Sequence, residues 1–365
     1  MNRPNYLVVI TLLFFIPSVV HAIEKIKPDI FISLKAEYDD NVFFKLEPKT
    51  DFITTIIPGI NTMMIAANWL HEIDYRIRFL DYRNIKRKSV NHNLNLIGRH
   101  KLANKFLFSI QGNLIEDKQE TVEEDFSVTK REYLKQKIAT AIRFQLKSRL
   151  ETDIRYQYED FNIREEEKGD SKEDEIACDI HYILSDRLKA IGVYQYRKRN
   201  YKNRGDLTRD LFGMGLGYEL SPRINSKLVI EHETVAQGGK DSNAFAFQVN
   251  FNHQLNEKTT SYLTFAKDTE FSRSLTNSVN VTSAKINIIR ELNEKTNLNI
   301  LASSMHGNWQ DNTRKDTLQT IILELSYQLS KDISFNINYN YIYRKSNIFE
   351  KCRRNNTYTF TIQVR

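Results

Sequence analysis

Trp69-Leu70-His71-Glu72-Ile73-Asp74-Tyr75-Arg76-Ile77-Arg78-Phe79 sets Trp69, His71, Ile73, Tyr75, Ile77 and Phe79 on one side of an extended chain and Glu72, Asp74, Arg76 and Arg78 on the other. Strand side chains point alternately to opposite faces, so a period of two separates the two chemistries. A helix over the same residues would scatter the charges among the apolar groups. The pattern returns at Phe245, Phe247, Val249 and Phe251 against Gln248, Asn250 and Asn252. It returns again at Ile333, Phe335, Ile337, Tyr339 and Tyr341 against Ser334, Asn336, Asn338 and Asn340. Such ladders run for roughly ten residues, the length of a tilted strand that crosses a bilayer.

Between the ladders a short phrase recurs. Leu146-Lys147-Ser148-Arg149-Leu150 is followed by its counterparts beginning at Leu184, Leu220, Leu255, Leu292 and Leu329, with the leucines 38, 36, 35, 37 and 37 residues apart. The small polar and charged residues after each leucine are turn formers. A regular period also raises a helical solenoid, but the alternation inside each unit excludes it. One hairpin plus one long loop accounts for the spacing.

Composition fits the same reading. Mean hydropathy is −0.51 and 27% of residues are charged, which excludes a bundle of membrane helices. A transmembrane β-barrel shows only half of each strand to lipid and keeps its lumen and loops polar, so it can be hydrophilic on average. A soluble sandwich is the alternative, with the same apolar faces closed into a core. The fold expected is an all-β, antiparallel, up-and-down transmembrane barrel. Eight short turns, including two early ones near Ile65 to Asn68 and Lys101 to Lys105, imply eighteen strands, from 29–38 to 355–365; sixteen is the competing count.

The first 22 residues read as a signal peptide. Arg3 precedes an apolar stretch from Leu7 to Val20, and Val20-His21-Ala22 offers a cleavage site after Ala22. Residues 23–365 then form a single barrel, because no linker or helical insert interrupts the hairpin rhythm. The expected location is the bacterial outer membrane. Cys178 lies among strand residues and Cys352 in a basic loop, so two free thiols are expected, and no zinc spacing is present. The sequence calls for no metal or cofactor.

Near the start, Glu37-Tyr38-Asp39-Asp40-Asn41-Val42-Phe43, then Asp51-Phe52-Ile53 and Pro58-Gly59, resembles the opening of the outer-membrane β-barrel family known as beta-barrel porin 2. That resemblance implies an association with exopolysaccharide or capsule synthesis and a role as the outer-membrane exit for the polymer. It also implies a polysaccharide and a periplasmic export protein as partners. The final Arg365 departs from the usual aromatic last residue, which leaves Phe360 and the strand pattern for recognition by the barrel-assembly machinery. Read as residues, Asp39-Asp40-Asn41 is a turn in which short polar side chains bond their own backbone, with a calcium site as the alternative. Pro58 and Gly59 suggest a bulge or bend in the second strand.

If the apolar ladders face lipid, Trp69, Ile73, Tyr75, Phe245, Phe247, Phe251, Phe335, Tyr339 and Phe360 contact acyl chains. Glu72, Asp74, Arg76, Arg78, Asn91, Asn93, Asn95, Arg143, Arg155, Gln248, Asn250, Asn252, Asn336, Asn338 and Asn340 then line the pore. Cations and anions are balanced there, which argues against strong ion selectivity. The amide ladders can exchange hydrogen bonds with sugar hydroxyls at little net cost. A general diffusion porin and a closed structural or adhesive barrel remain the other readings. No nucleophile elbow or Ser/His/Asp grouping stands out, so no enzyme is expected. Basic clusters at Arg83 to Lys88, Arg197 to Arg204 and Arg344 to Arg354 suit lipopolysaccharide phosphates rather than nucleic acid, since acidic loops are interleaved with them. A monomer is expected.

Overall fold

The computed structural model describes residues 24–42, 47–103, 105–117, 121–122, 128–129, 133–163, 170–202, 205–237, 240–271, 278–309, 314–348 and 352–365. The signal peptide expected at 1–22 lies outside them. In chain order the strands are β1 (Lys25–Asp39), β2 (Asp51–Ala66), β3 (Trp69–Tyr82), β4 (Arg87–Ala103), β5 (Phe106–Asp117), the two-residue pair β6 (Thr121–Val122) and β7 (Val128–Thr129), then β8 (Tyr133–Lys147), β9 (Leu150–Ile163) and β10 (Ser171–Ser185). They continue with β11 (Leu188–Tyr201), β12 (Leu207–Ser221), β13 (Ile224–Gln237), β14 (Lys240–Asn256), β15 (Thr259–Phe271), β16 (Ser278–Asn293), β17 (Thr296–Trp309), β18 (Lys315–Gln328), β19 (Ile333–Ser346) and β20 (Arg353–Val364).

All but β6 and β7 belong to one 18-stranded antiparallel sheet. The sheet closes on itself where β1 pairs with β20, from Ile32↔Val364 to Asp39↔Thr357. The structure therefore has the eighteen strands of the turn count, not sixteen. No helix among the described residues is long and apolar enough to cross a membrane, and the strands are what give the chain its spans.

The recurring phrase has a definite backbone form. Register shifts fall between Gln145/Lys147, Ile183/Ser185, Glu219/Ser221, Gln254/Asn256 and Glu291/Asn293, so Leu146, Leu184, Leu220, Leu255 and Leu292 are the extra residues of β-bulges. Each bulge precedes a two-residue turn and leaves its leucine exposed. The residue before the leucine then donates its N–H to the carbonyl of the basic turn residue of the preceding hairpin: Ile183 to Arg149 (2.8 Å), Glu219 to Arg187 (2.8 Å), Gln254 to Arg223 (2.8 Å) and Glu291 to Lys258 (2.8 Å). One phrase thus serves as turn, bulge and hoop.

Pro58 acts differently from the bulge expected. Ile56↔Phe79 and Gly59↔Arg76 keep a single register on either side of it, and only the ladder to β3 lapses between them. Proline lacks the N–H that the ladder needs, yet no extra residue is inserted, and the other edge stays paired, Ile32 to Pro58. Gly59 makes room for an inward ring: a Cβ there would lie 2.3 Å from Cζ of Phe31. The Arg76 guanidinium lies 5.4 Å from the centre of that same ring.

Closure is reinforced at the loop end. The Asp39 carboxylate accepts the Asn41 N–H (2.8 Å), so Asp39-Asp40-Asn41 is the expected turn. Asp40 then accepts the backbone N–H of Asn356 (2.7 Å), and the Asn41 amide donates to the Arg354 carbonyl (2.9 Å). Asp51, fully buried, accepts the N–H groups of Phe52 (2.7 Å), Asn84 (2.8 Å) and Ile85 (3.1 Å). The opening motif is thus structural work at the strap between first and last strands.

Candidate functional site: the inner wall of the barrel

Contacts that skip strands identify the concave face. Arg209 on β12 reaches the Asp268 carboxylate and the Thr269 carbonyl (3.3 Å) on β15. Only side chains pointing inside the ring can bridge strands that are not neighbours. Following the register from Arg209 around the sheet puts Glu72, Asp74, Arg76 and Arg78 of β3 and Asn91, Asn93 and Asn95 of β4 on this face. Arg143 of β8, Arg155 of β9, Gln248, Asn250 and Asn252 of β14, and Asn336, Asn338 and Asn340 of β19 share it. The other side carries Trp69, Ile73 and Tyr75 of β3, Phe245, Phe247 and Phe251 of β14, Phe335 and Tyr339 of β19, and Phe360 of β20. Phe245 is 69% exposed there, and Tyr339 packs its ring 5.0 Å from that of Tyr358.

His71 also lies on the convex side but is only 1% exposed. Its Nε2 is 2.9 Å from Nε2 of His100, and its ring stands edge-on to Trp69. The neighbouring rings account for its burial.

The concave wall has two chemical sectors. From β8 to β13 it is charged and internally paired: Arg143 with Asp153 (2.8 Å), Lys135 with Glu159 (3.0 Å), Arg155 with Asp179 (2.9 Å), Arg197 with Glu175 (3.0 Å), and Arg199 with Glu173 (2.5 Å). Long cations face acids on the adjacent strand because the antiparallel register puts them directly opposite or one diagonal apart. On β16 to β20, and again on β4 and β5, the wall is richer in amides and hydroxyls, and between these stretches β1 and β3 carry further paired charges, Lys35 with Glu37 and Arg76 with Asp74 (2.6 Å). Asn336 donates to Ser326 (2.9 Å) and Glu324 (2.6 Å), Asn61 to Glu72 (2.8 Å), and Thr264 to Asn250 (3.1 Å). The side-chain oxygens of Asn93, Asn95, Asn287, Asn299 and Asn340 have no protein donor among the described residues.

Near the loop end the inner wall carries buried clusters. Asp316 is fully buried and receives Arg314 (2.6 Å) and Arg344 (3.1 Å), while Arg314 lies 4.2 Å from the centre of the Trp309 ring. Val279, Val281, Leu318 and Ile342 pack with Trp309. These inward apolar residues interrupt the alternation on which the sequence reading rests, so periodicity alone could not find them. Among the described residues, no cluster of His, Cys, Asp and Glu could hold a metal ion, and both thiols are free.

The fold can be set beside solved structures. Pseudomonas aeruginosa OpdK, solved with vanillate, matches at a TM-score of 0.53 and 10% identity over 94% of this chain and 99% of that one. The chain has the fold of an outer-membrane β-barrel. The FrpB iron transporter from Neisseria meningitidis matches at a TM-score of 0.50 and 10% identity over 90% of this chain and 63% of that one. P. aeruginosa OprD matches at 0.48 and 11% identity over 94% and 95%. No protein-family model matches the sequence, and no curated protein matches it. At such identities the likeness shows the fold alone, and the barrel's cargo must be argued from its own wall.

Proposed function

We propose that this barrel is the outer-membrane exit for an exopolysaccharide or capsular polysaccharide. The observation that carries the reading is the amide and hydroxyl sector of the inner wall, where Asn336, Asn338 and Asn340 of β19 stand opposite Thr361, Thr359 and Thr357 of β20 on the concave face. A sugar hydroxyl can replace water at the lumen-facing groups of such a wall with little change in free energy, because one neutral hydrogen bond is exchanged for another. A hydrated polymer then moves from one residue to the next without being held. The resemblance of residues 37–59 to beta-barrel porin 2 points the same way. Partners on this reading are the polymer, a periplasmic export protein that delivers it, lipopolysaccharide outside and the assembly machinery during biogenesis. The chain works as a monomer, without a cofactor and without catalysing a reaction.

General diffusion of small solutes is the second reading, favoured by the paired charges of β8 to β13, which give no net preference for either sign of ion. Deletion of the gene separates the two. Loss of surface polysaccharide with accumulation in the periplasm is the expected result. Undiminished surface polymer in a clean deletion overturns export and leaves the diffusion porin.

A further inference from the structure

The ladder between β14 and β15 is unzipped at its loop end. It stops at Phe247↔Lys267. On the far side of each strand pairing goes on, β14 to β13 as far as Lys240 and β15 to β16 as far as Phe271. Both strands are therefore extended above the stop, yet they do not bond each other. The released backbone of Thr269 is satisfied by side chains instead: its carbonyl accepts from Arg209 (3.3 Å) and its N–H donates to Asp268 (2.7 Å). Arg209 also pairs with Glu233 (3.1 Å), and both are almost completely buried, at 2% and 1% exposed. An ionic clasp takes the place of ladder hydrogen bonds.

At the foot of the gap is a cavity of about 330 Å³ lined by Arg155, Asp179, Arg209, Lys227, Glu231 and Asp268. The last ladder pair, Phe247 and Lys267, also lines it, although the register puts both on the convex side. The cavity thus lies against the wall at the point where the ladder stops. Outside, the β14 edge carries Phe245 at the gap and Phe247 at its foot, 69% and 37% exposed, with Lys267 across from Phe247 on β15. Short turns face the periplasm in outer-membrane barrels, so the unzipped end opens at the outer leaflet.

We propose that this seam is a lateral port between the lumen and the outer leaflet, latched by Arg209, and that it takes an amphiphile with an ionic head and an acyl tail. The occupant follows from the two linings. Charged groups of both signs at the inner end suit a solvated ionic head, and phenylalanines at the outer end suit hydrocarbon. An unpaired strand edge facing lipid carries a large penalty unless something covers it, which a polar head or the Arg209 clasp can do. This inference does not depend on which polymer passes along the lumen.

The test uses the full chain in phosphatidylcholine vesicles, with Cys178→Ser and Cys352→Ser removing the native thiols. A bimane fluorophore is attached at Ala244→Cys, on the inner face beside the gap, or at Asn250→Cys, on the same face where the ladder to Thr264 is intact. Doxyl-labelled phosphatidylcholine is expected to quench the probe at 244 and not at 250, and Arg209→Ala to deepen quenching at 244 alone. Arg209→Lys serves the same purpose if the alanine variant does not assemble. As an independent measure, Ala244→Cys with Glu270→Cys should form no spontaneous disulfide, whereas Asn250→Cys with Thr264→Cys should. Equal, weak lipid quenching at both positions, with iodide alone effective, would overturn the port and leave a hydrophilic notch. A ready 244–270 disulfide would overturn the gap itself.

Discussion

Asp316 shows what the inner wall demands of a single residue. Its carboxylate has no contact with solvent and holds two guanidinium groups, with the Trp309 indole N–H 3.4 Å away. Removing one member of a buried pair leaves an uncompensated charge, so Asp316→Ala should cost about 3–5 kcal/mol, measured by urea unfolding from lipid vesicles. A loss within about 1 kcal/mol, the scale of an exposed pair, would mean that solvent reaches the cluster. At this scale the sequence was legible wherever a residue's role depends only on its own parity. Asn93, Asn336 and Gln248 fall on the concave face because they are even steps from other polar residues on their strands. Arg209 was not legible. Its partners come from strands that are not its neighbours, and nothing in a linear pattern says which strands the curvature of the ring brings close.

The elements show how a repeated phrase becomes geometry. The turn chemistry after each leucine is readable, and the strands begin and end within a few residues of where it puts them: β3 occupies 69–82, as its alternation implies. The leucine's part as the bulged residue is not readable, because a bulge is a relation between two strands. Glycines on β12 give a second case. Gly213, Gly215 and Gly217 alternate onto the concave face, and a Cβ on Gly215 would sit 2.1 Å from the Leu228 carbonyl oxygen and 2.8 Å from Cα of Val229. Backbone cannot step aside as a flexible side chain can. Gly215→Ala should therefore destabilise by roughly 1–3 kcal/mol, the range for overpacking, and lower the fraction that refolds to the heat-modifiable form on gels. Gly192→Ala, with nothing within 4 Å of its Cβ, is the control and should refold like the parent.

For the whole molecule, the sign of the lumen matters more than its size. The formal charge of the chain is +7, yet the cations of β8 to β13 face acids of the same wall. Fields of closely paired charges cancel within a few ångströms, and salt screens what remains over about 8 Å at physiological ionic strength. Purified protein in a planar bilayer should therefore show a reversal potential near zero under a KCl gradient. A clearly anion-selective current would mean that unpaired loop cations, not the wall, govern entry. The barrel itself and its strand number could be read from alternation and turn count together. The inward clusters around Trp309 and the open seam of β14 could not, since both arise where loops and curvature override the two-residue period.

The pairing of β1 with β20 joins the two ends of the chain, and this has a cost in time. Contacts between the most distant segments are the slowest to form, because the entropy of closing so large a loop comes before any reward. Until Ile32 meets Val364, two strand edges stand open and can template aggregation. The clasp of Asp40 and Asn41 on Arg354 and Asn356 holds the join at its far end once it has formed. Those two edges stay open until the ring is sealed, so shielding them over that interval is what assembly of this topology requires.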